Sequence, residues 1–254
     1  MGVARTLTKP PIVEVVCGFF FPPIAVTPLF VGKYWAAKKE KDFPRTDLQP
    51  AVFDRPSVVL GGGVSPVRSW LLSAEEDLVL QIQPDRFYLN WRRQGDGAYP
   101  HFEDHGEVTG VLSRSLAELS EFSAFTREHL AGVAPQPRQL ELTKVDFLER
   151  GKHWSDVAEL ARLVPWLAAS PAAGEGPEIA LAANGQRAGF RVAIALRTMV
   201  NPADLSAALH IETRVTGAVG ADPRVTFTSM NDVANDMFFD LLSAEARSRF
   251  GETT

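Results

Sequence analysis

Tyr99-Pro100-His101-Phe102-Glu103-Asp104-His105 places two imidazoles, two carboxylates and a phenol within seven residues. Histidines four apart share one face of a helix, the arrangement a zinc-type ion asks of two ligands, and Glu103, Glu107 or His153 could supply a third. Such a site would make the chain a metal-dependent enzyme. Against it, Pro100 and Gly106 bracket the pair and oppose a regular helix, and Phe102 stands where the zinc-protease motif puts its glutamate. The competing reading is a solvated helix start, with acidic residues at the positive end of the dipole. No metal ligand and no cofactor are assigned.

The second constellation is Arg86-Phe87-Tyr88-Leu89-Asn90-Trp91-Arg92. On a strand, Phe87, Leu89 and Trp91 face one way, and Arg86, Tyr88, Asn90 and Arg92 face the other. Arginine and tyrosine are over-represented where protein surfaces bind partners. The polar row, with Tyr99 just beyond it, is therefore the candidate binding site. Arg191 and Arg197 share one strand face later in the chain, near His210, Glu212 and Arg214, and are expected to extend it.

Other chemistries find little support. The single cysteine, Cys17, lies in the apolar run Ile12–Phe21 and reads as a buried small hydrophobe. Gly61-Gly62-Gly63 lacks the Gly-Lys-Ser/Thr ending of a phosphate loop and reads as a strand bend. The basic stretch 33–45 reads as a solvated helix face. Asp85, Asp104, Glu141 and Asp146 are scattered, and no nucleophile elbow or dinucleotide fingerprint occurs. No catalytic residue is assigned.

These side chains need a scaffold. Composition is ordinary globular: 45% hydrophobic and 22% charged, with net charge −5. An acidic chain is a poor generic binder of nucleic acid, although a local basic strip could act. The run 10–26 is too short to cross a bilayer, is broken by prolines and contains Glu14, so no membrane association and a cytoplasmic location are expected. Residues 12–21 read as a strand and 28–41 as a helix. The stretch 42–56 reads as a connection and 78–92 as a hairpin. Residues 107–125 read as an amphipathic helix. After a break at 131–139 the order repeats: a strand whose alternation slips between Leu142 and Val145 as at a bulge, a helix capped by Ser155, strands with a turn at Asn184-Gly185, and a closing helix from about 232. The expected fold is α+β, internally duplicated. Residues 1–132 and 133–254 would each supply a strand-helix-antiparallel strands-helix half to one broad curved sheet with helices on one face.

Leu7–Phe21, the strand ending Asn90-Trp91-Arg92 followed by Tyr99-Pro100, and the closing helix together resemble a sporadically distributed bacterial family of about this length without an assigned activity. The resemblance covers nearly the whole chain. It implies carriage on mobile or defence-related gene clusters and no particular mechanism. Family members carry a histidine early in the last helix, where this chain has Asn231 and Asn235, which weakens any catalytic role there.

Three functions are expected in this order: a non-catalytic adaptor recognising a protein or peptide partner through the polar-aromatic face; a nucleic-acid binder using Arg86, Arg92, Arg93, Arg191 and Arg197; and a metal enzyme at His101 and His105. The partner and the oligomeric state are not legible.

Overall fold

A computed structural model describes residues 6–52, 67–95, 97–169, 179–200 and 206–253. The glycine run at 61–63 falls outside them. In chain order the first elements are β1 (Thr6–Leu7), β2 (Ile12–Phe20), α1 (Pro28–Tyr34), β3 (Arg45–Pro50), β4 (Val67–Leu72), β5 (Leu78–Gln83), β6 (Arg86–Arg92) and α2 (Val111–His129). There follow β7 (Gln139–Glu149), α3 (Val157–Leu163), β8 (Ala180–Arg187), β9 (Phe190–Val200), β10 (Ala207–Ala218), α4 (Pro223–Leu241), α5 (Ala244–Arg249) and β11 (Glu252–Thr253). The protein is α+β, as the sequence implies.

The main sheet has nine strands in the order β3-β4-β5-β6-β2-β7-β10-β9-β8, and β1 pairs with β11 apart from it. All neighbours run antiparallel. Around the centre this is set by Phe21 N–H donating to Asp85 O, Arg138 N–H to Phe20 O, Phe147 N–H to Pro11 O and Arg150 N–H to Ala207 O. The element order repeats: β2, α1, β4-β5-β6, α2, then β7, α3, β8-β9-β10, α4. In each repeat the last strand of the meander lies beside the opening strand. The stretch 42–56, expected to be a connection, contributes the edge strand β3.

Residue contacts divide the chain into two compact units. The first holds Val15–Glu141 with Ala218–Phe227; the second holds Met1–Glu14, Leu142–Gly217 and Thr228–Thr254.

In the first unit, alternation on β5 and β6 buries Leu80, Ile82, Phe87 and Leu89 at 0–1% exposure. Phe122 of α2 stacks on Phe87 at 5.4 Å and Tyr34 of α1 packs edge-on against Phe122 at 5.2 Å, so α2 lies on this apolar face. Cys17 is fully buried, as its apolar surroundings imply. The N-terminus of α2 starts at Gly110. A Cβ there would stand 2.4 Å from the Glu103 carbonyl carbon, so only glycine fits. Trp35–Lys39 continues α1 as a π turn.

In the second unit, Leu148, Leu160, Ile194, Leu209, Ile211 and Leu241 form the centre of one apolar cluster beneath α3, α4 and α5. Two local expectations are corrected here. Asn184 and Gly185 lie inside β8, opposite Ala193 and Val192; the hairpin turns at Ala188-Gly189, whose φ values of 51° and 83° are those of a type I′ turn. Asp156, rather than Ser155, caps α3 by accepting from Glu159 N–H at 2.8 Å, while Glu159 reaches back to Ser155 N–H at 2.7 Å. β7 spans Gln139–Glu149 as one strand. Its alternation blurs because Leu142, Thr143, Lys144, Val145 and Asp146 are all buried.

Candidate functional site

The polar row of the first unit is placed by strand register. Trp70, Gln81 and Tyr88 stand abreast on β4, β5 and β6, on the face away from α2. Around them the side chains are knitted into a layer. Arg68 Nη1 donates to Gln81 Oε1 at 2.5 Å, and Gln81 Nε2 donates to Asn90 Oδ1 at 2.7 Å. Gln83 Nε2 donates to Asp85 Oδ1 at 2.7 Å and to the Val52 carbonyl at 3.0 Å.

Arg86 is 3% exposed, gripped by both carboxylate oxygens of Asp85 at 2.9 and 3.2 Å, with its guanidinium 4.7 Å from the Phe20 ring centre. Burial alone would lower its pKa, but the Asp85 hydrogen bonds and the Tyr88 hydroxyl outweigh that and raise it. The same pairing, with Gln83, outweighs burial at Asp85 and keeps that carboxyl below its ordinary range. Tyr88 and Asn90 are also buried, and Tyr88 packs edge-on against Phe20 at 5.7 Å. Arg86, Tyr88 and Asn90 are therefore the floor of this face rather than its contact surface.

What reaches the surface is a group the sequence reading passed over. Trp70 is half-buried, with the Arg68 guanidinium 5.2 Å and the Arg92 guanidinium 4.9 Å from its ring. Arg68 has no carboxylate partner among the described residues. Burial, followed by the opposing effect of Tyr88 and the nearby charge of Arg92, leaves its pKa lowered. Trp70 Nε1 and Arg68 Nε are both buried and meet no acceptor among the described residues. The neighbouring carboxylates are occupied: Asp47, opposite Trp70 on β3, accepts from Leu48 N–H and the Gln49 amide, and Asp77 accepts from Ser73. Arg68 and Trp70 alternate along β4, but it is the pairing of Trp70 with Gln81, and of Gln81 with Tyr88, that puts them on this face.

The remaining candidates lie elsewhere. Tyr99 packs on Trp91, which belongs to the apolar row, at 5.2 Å, and the rings continue through His101 to His105, 4.7 Å apart. His101 has φ of 67°, so no helix carries the histidine pair. The segment instead caps α2. The carbonyls of His101 and Phe102 accept from Val111 and Leu112 N–H, and Asp104 accepts from Gly110 N–H at 2.8 Å and Ser113 Oγ at 2.7 Å. Among the described residues no three His, Cys, Asp or Glu side chains gather into a metal-holding group. The Gly110 and Ser113 hydrogen bonds hold Asp104 below its ordinary pKa. Its stabilising contribution is thus present above about pH 3.8 and lost as the pH falls through the folded value. Urea unfolding of Asp104→Asn should show a deficit against the parent at pH 7 that closes towards about pH 2; a deficit independent of pH would contradict the cap.

In the second unit Arg191 and Arg197 are exposed on β9. Arg197 and Arg214 share Glu212, at 3.5 and 2.7 Å. His210, beside Phe147 at 5.4 Å, has its pKa lowered by burial and then by Arg197. Arg197 and Arg214 thus divide one carboxylate between them.

Two buried polar centres were also missed. In the first unit Lys39, 2% exposed, meets Glu118 at 2.6 Å and Glu121 at 2.5 Å. The basic stretch had been expected to be solvated; the i→i+5 spacing of the π turn puts Lys39 on the same side as the fully buried Tyr34. Burial opposes the Lys39 charge, but the two glutamates outweigh it and raise its pKa, which suits a structural cation and not a neutral nucleophile. In the second unit Lys144 Nζ donates to Asn235 Oδ1 of α4 at 2.6 Å, one turn from Asn231.

No protein-family model, curated protein or solved structure matches this chain. Among the described residues no helix is long and apolar enough to cross a membrane.

Proposed function

We propose that this is a non-catalytic binding protein, an adaptor that recognises an acidic segment of a protein or peptide partner at Trp70, Arg68 and Arg92 over the polar floor of Arg86, Tyr88 and Asn90. One observation carries the reading: among the described residues, two buried N–H donors, Trp70 Nε1 and Arg68 Nε, face no acceptor while the adjacent carboxylates are engaged. An unsatisfied buried donor costs about 1–3 kcal/mol, which a partner's carboxylate would recover. It would also meet two guanidiniums, and charge-assisted bonds to arginine are the stronger kind. A defence or toxin-neutralising role rests on the motif resemblance alone.

Nucleic acid is the second reading. Of the five arginines it needs, Arg86 is buried against Asp85 and Arg197 lies 3.5 Å from Glu212, so two of the five already face a carboxylate.

A peptide array in which every Asp or Glu peptide has an Asn or Gln twin separates the readings. Acidic spots should bind and their twins should not. Trp70→Phe, which removes the N–H and keeps a ring, should weaken the best spot by about tenfold. Retention of oligonucleotides with a steep salt dependence, and indifference to the acidic peptides, would replace the proposal with the nucleic-acid reading.

A further inference from the structure

We infer that Lys144 and Asn235 form an intramolecular isopeptide bond, a covalent tie between β7 and α4 closed by loss of ammonia. Both residues lie in the second unit. Lys144 is 8% exposed, and its Nζ donates to Asn235 Oδ1 at 2.6 Å. A carbonyl bond is about 1.2 Å long, so Nζ stands less than about 4 Å from Asn235 Cγ. That is close to the separation of about 3–3.5 Å from which held groups react. The shell is apolar: Leu142 and Leu148, on the same face of β7, and Ala234 beside Asn235 are fully buried. An ammonium loses its water there, and the free amine is the form that attacks a carbonyl carbon.

Neighbouring polar groups handle the proton. Asp146, two residues on along β7 and 4% exposed, shares the face of Lys144. Arg150 N–H donates to Ala207 O and Phe147 packs on His210 at 5.4 Å, a register that sets Thr213 of β10 opposite Lys144. Thr213 is 1% exposed, and among the described residues its Oγ1 meets no hydrogen-bond partner. That hydroxyl gives Nζ an acceptor other than the carbonyl it attacks. In the reaction Nζ bonds to Cγ and the Cγ–Nδ2 bond breaks. One Nζ proton passes through the Asp146 carboxylate to Nδ2, which leaves as ammonia. Amine and carboxamide become one secondary amide, and no oxidant or cofactor enters. The inference is independent of the Trp70 site.

Intact mass and peptide mapping of the full chain test it. The parent should weigh about 17 Da less than its sequence, and its digest should hold the Lys144 and Asn235 peptides as one species joined through their side chains. Lys144→Arg, which keeps a charged donor but is a poor nucleophile, should have the full sequence mass. So should Asp146→Asn, with a cooperative urea melt showing each variant folded. A parent at full mass, a loss of ammonia with the two peptides released separately, or a link that forms unchanged in folded Asp146→Asn would each overturn the inference.

Discussion

Replacing Lys39 by alanine should lower the unfolding free energy by about 3–5 kcal/mol, the range for removing one partner of a buried ion pair. Lys39 is the cation that lets the Glu118 side chain, 7% exposed, sit against the helical turn after Tyr34. Without it, the Glu118 side chain is left in a dry site where, among the described residues, Arg114 at 3.5 Å is the remaining ion-pair partner. Glu121 is 39% exposed and can turn to water, so most of the penalty falls on Glu118. Total stabilities of about 5–15 kcal/mol are usual, so the variant should unfold at much lower urea, or near ambient temperature. Lys39→Met with Glu118→Leu removes both charges and keeps the volume, and should cost far less than the single alanine. Urea melts of the parent and these two variants decide it. A single-variant loss under about 1 kcal/mol would mean that the pair behaves like a surface pair.

Arg86→Ala should cost about 2–3 kcal/mol, nearer the lower end because Asp85 is one-third exposed and can rehydrate. The change also strips the cation from Phe20 and a packed aliphatic stem from beside Tyr88. Arg86→Lys keeps the charge but loses the two-pronged grip on Asp85, and should fall between alanine and the parent. Asp85 is held ionised below its ordinary range, so its contribution in the parent is present above about pH 4 and lost in acid. The gap between parent and Arg86→Ala should therefore narrow as the pH drops below 4, measured by urea melts across the acid range. A full-sized loss of partner binding with unchanged stability would instead make Arg86 a contact residue.

The hairpin of β5 and β6 was legible because Phe87, Leu89 and Trp91 alternate with polar residues across a two-residue turn. The covering helix α2 was legible from Leu112, Leu119 and Phe122. Alternation says which residues share a face; it does not say whether a polar face is wet. Arg86, Tyr88 and Asn90 read as surface and are buried, because Arg68, Trp70, Phe20 and the chain at Val52 lie against them. Lys39 escaped because helical spacing places it off the face of Tyr34, and a π turn has no sequence signature of comparable strength. His101 and His105 suggested a ligand pair on the strength of spacing, but a positive φ at His101 turns the chain into a cap for α2. Trp70 was hidden for a different reason: its meaning depends on Gln81 and Tyr88 beside it, a relation between three strands that no local pattern expresses.

The central claim is that Trp70 Nε1 waits for a partner's carboxylate. Each of the five tryptophans contributes one indole N–H signal to a nitrogen–proton correlation spectrum, and the signal lost in Trp70→Phe is that of Trp70. On titration with an acidic peptide selected from the array, the Trp70 indole proton should move downfield and its solvent exchange should slow, while the Gln or Asn twin leaves it in place. An unmoved Trp70 signal at saturation, or equal movement with the neutral twin, would contradict the account.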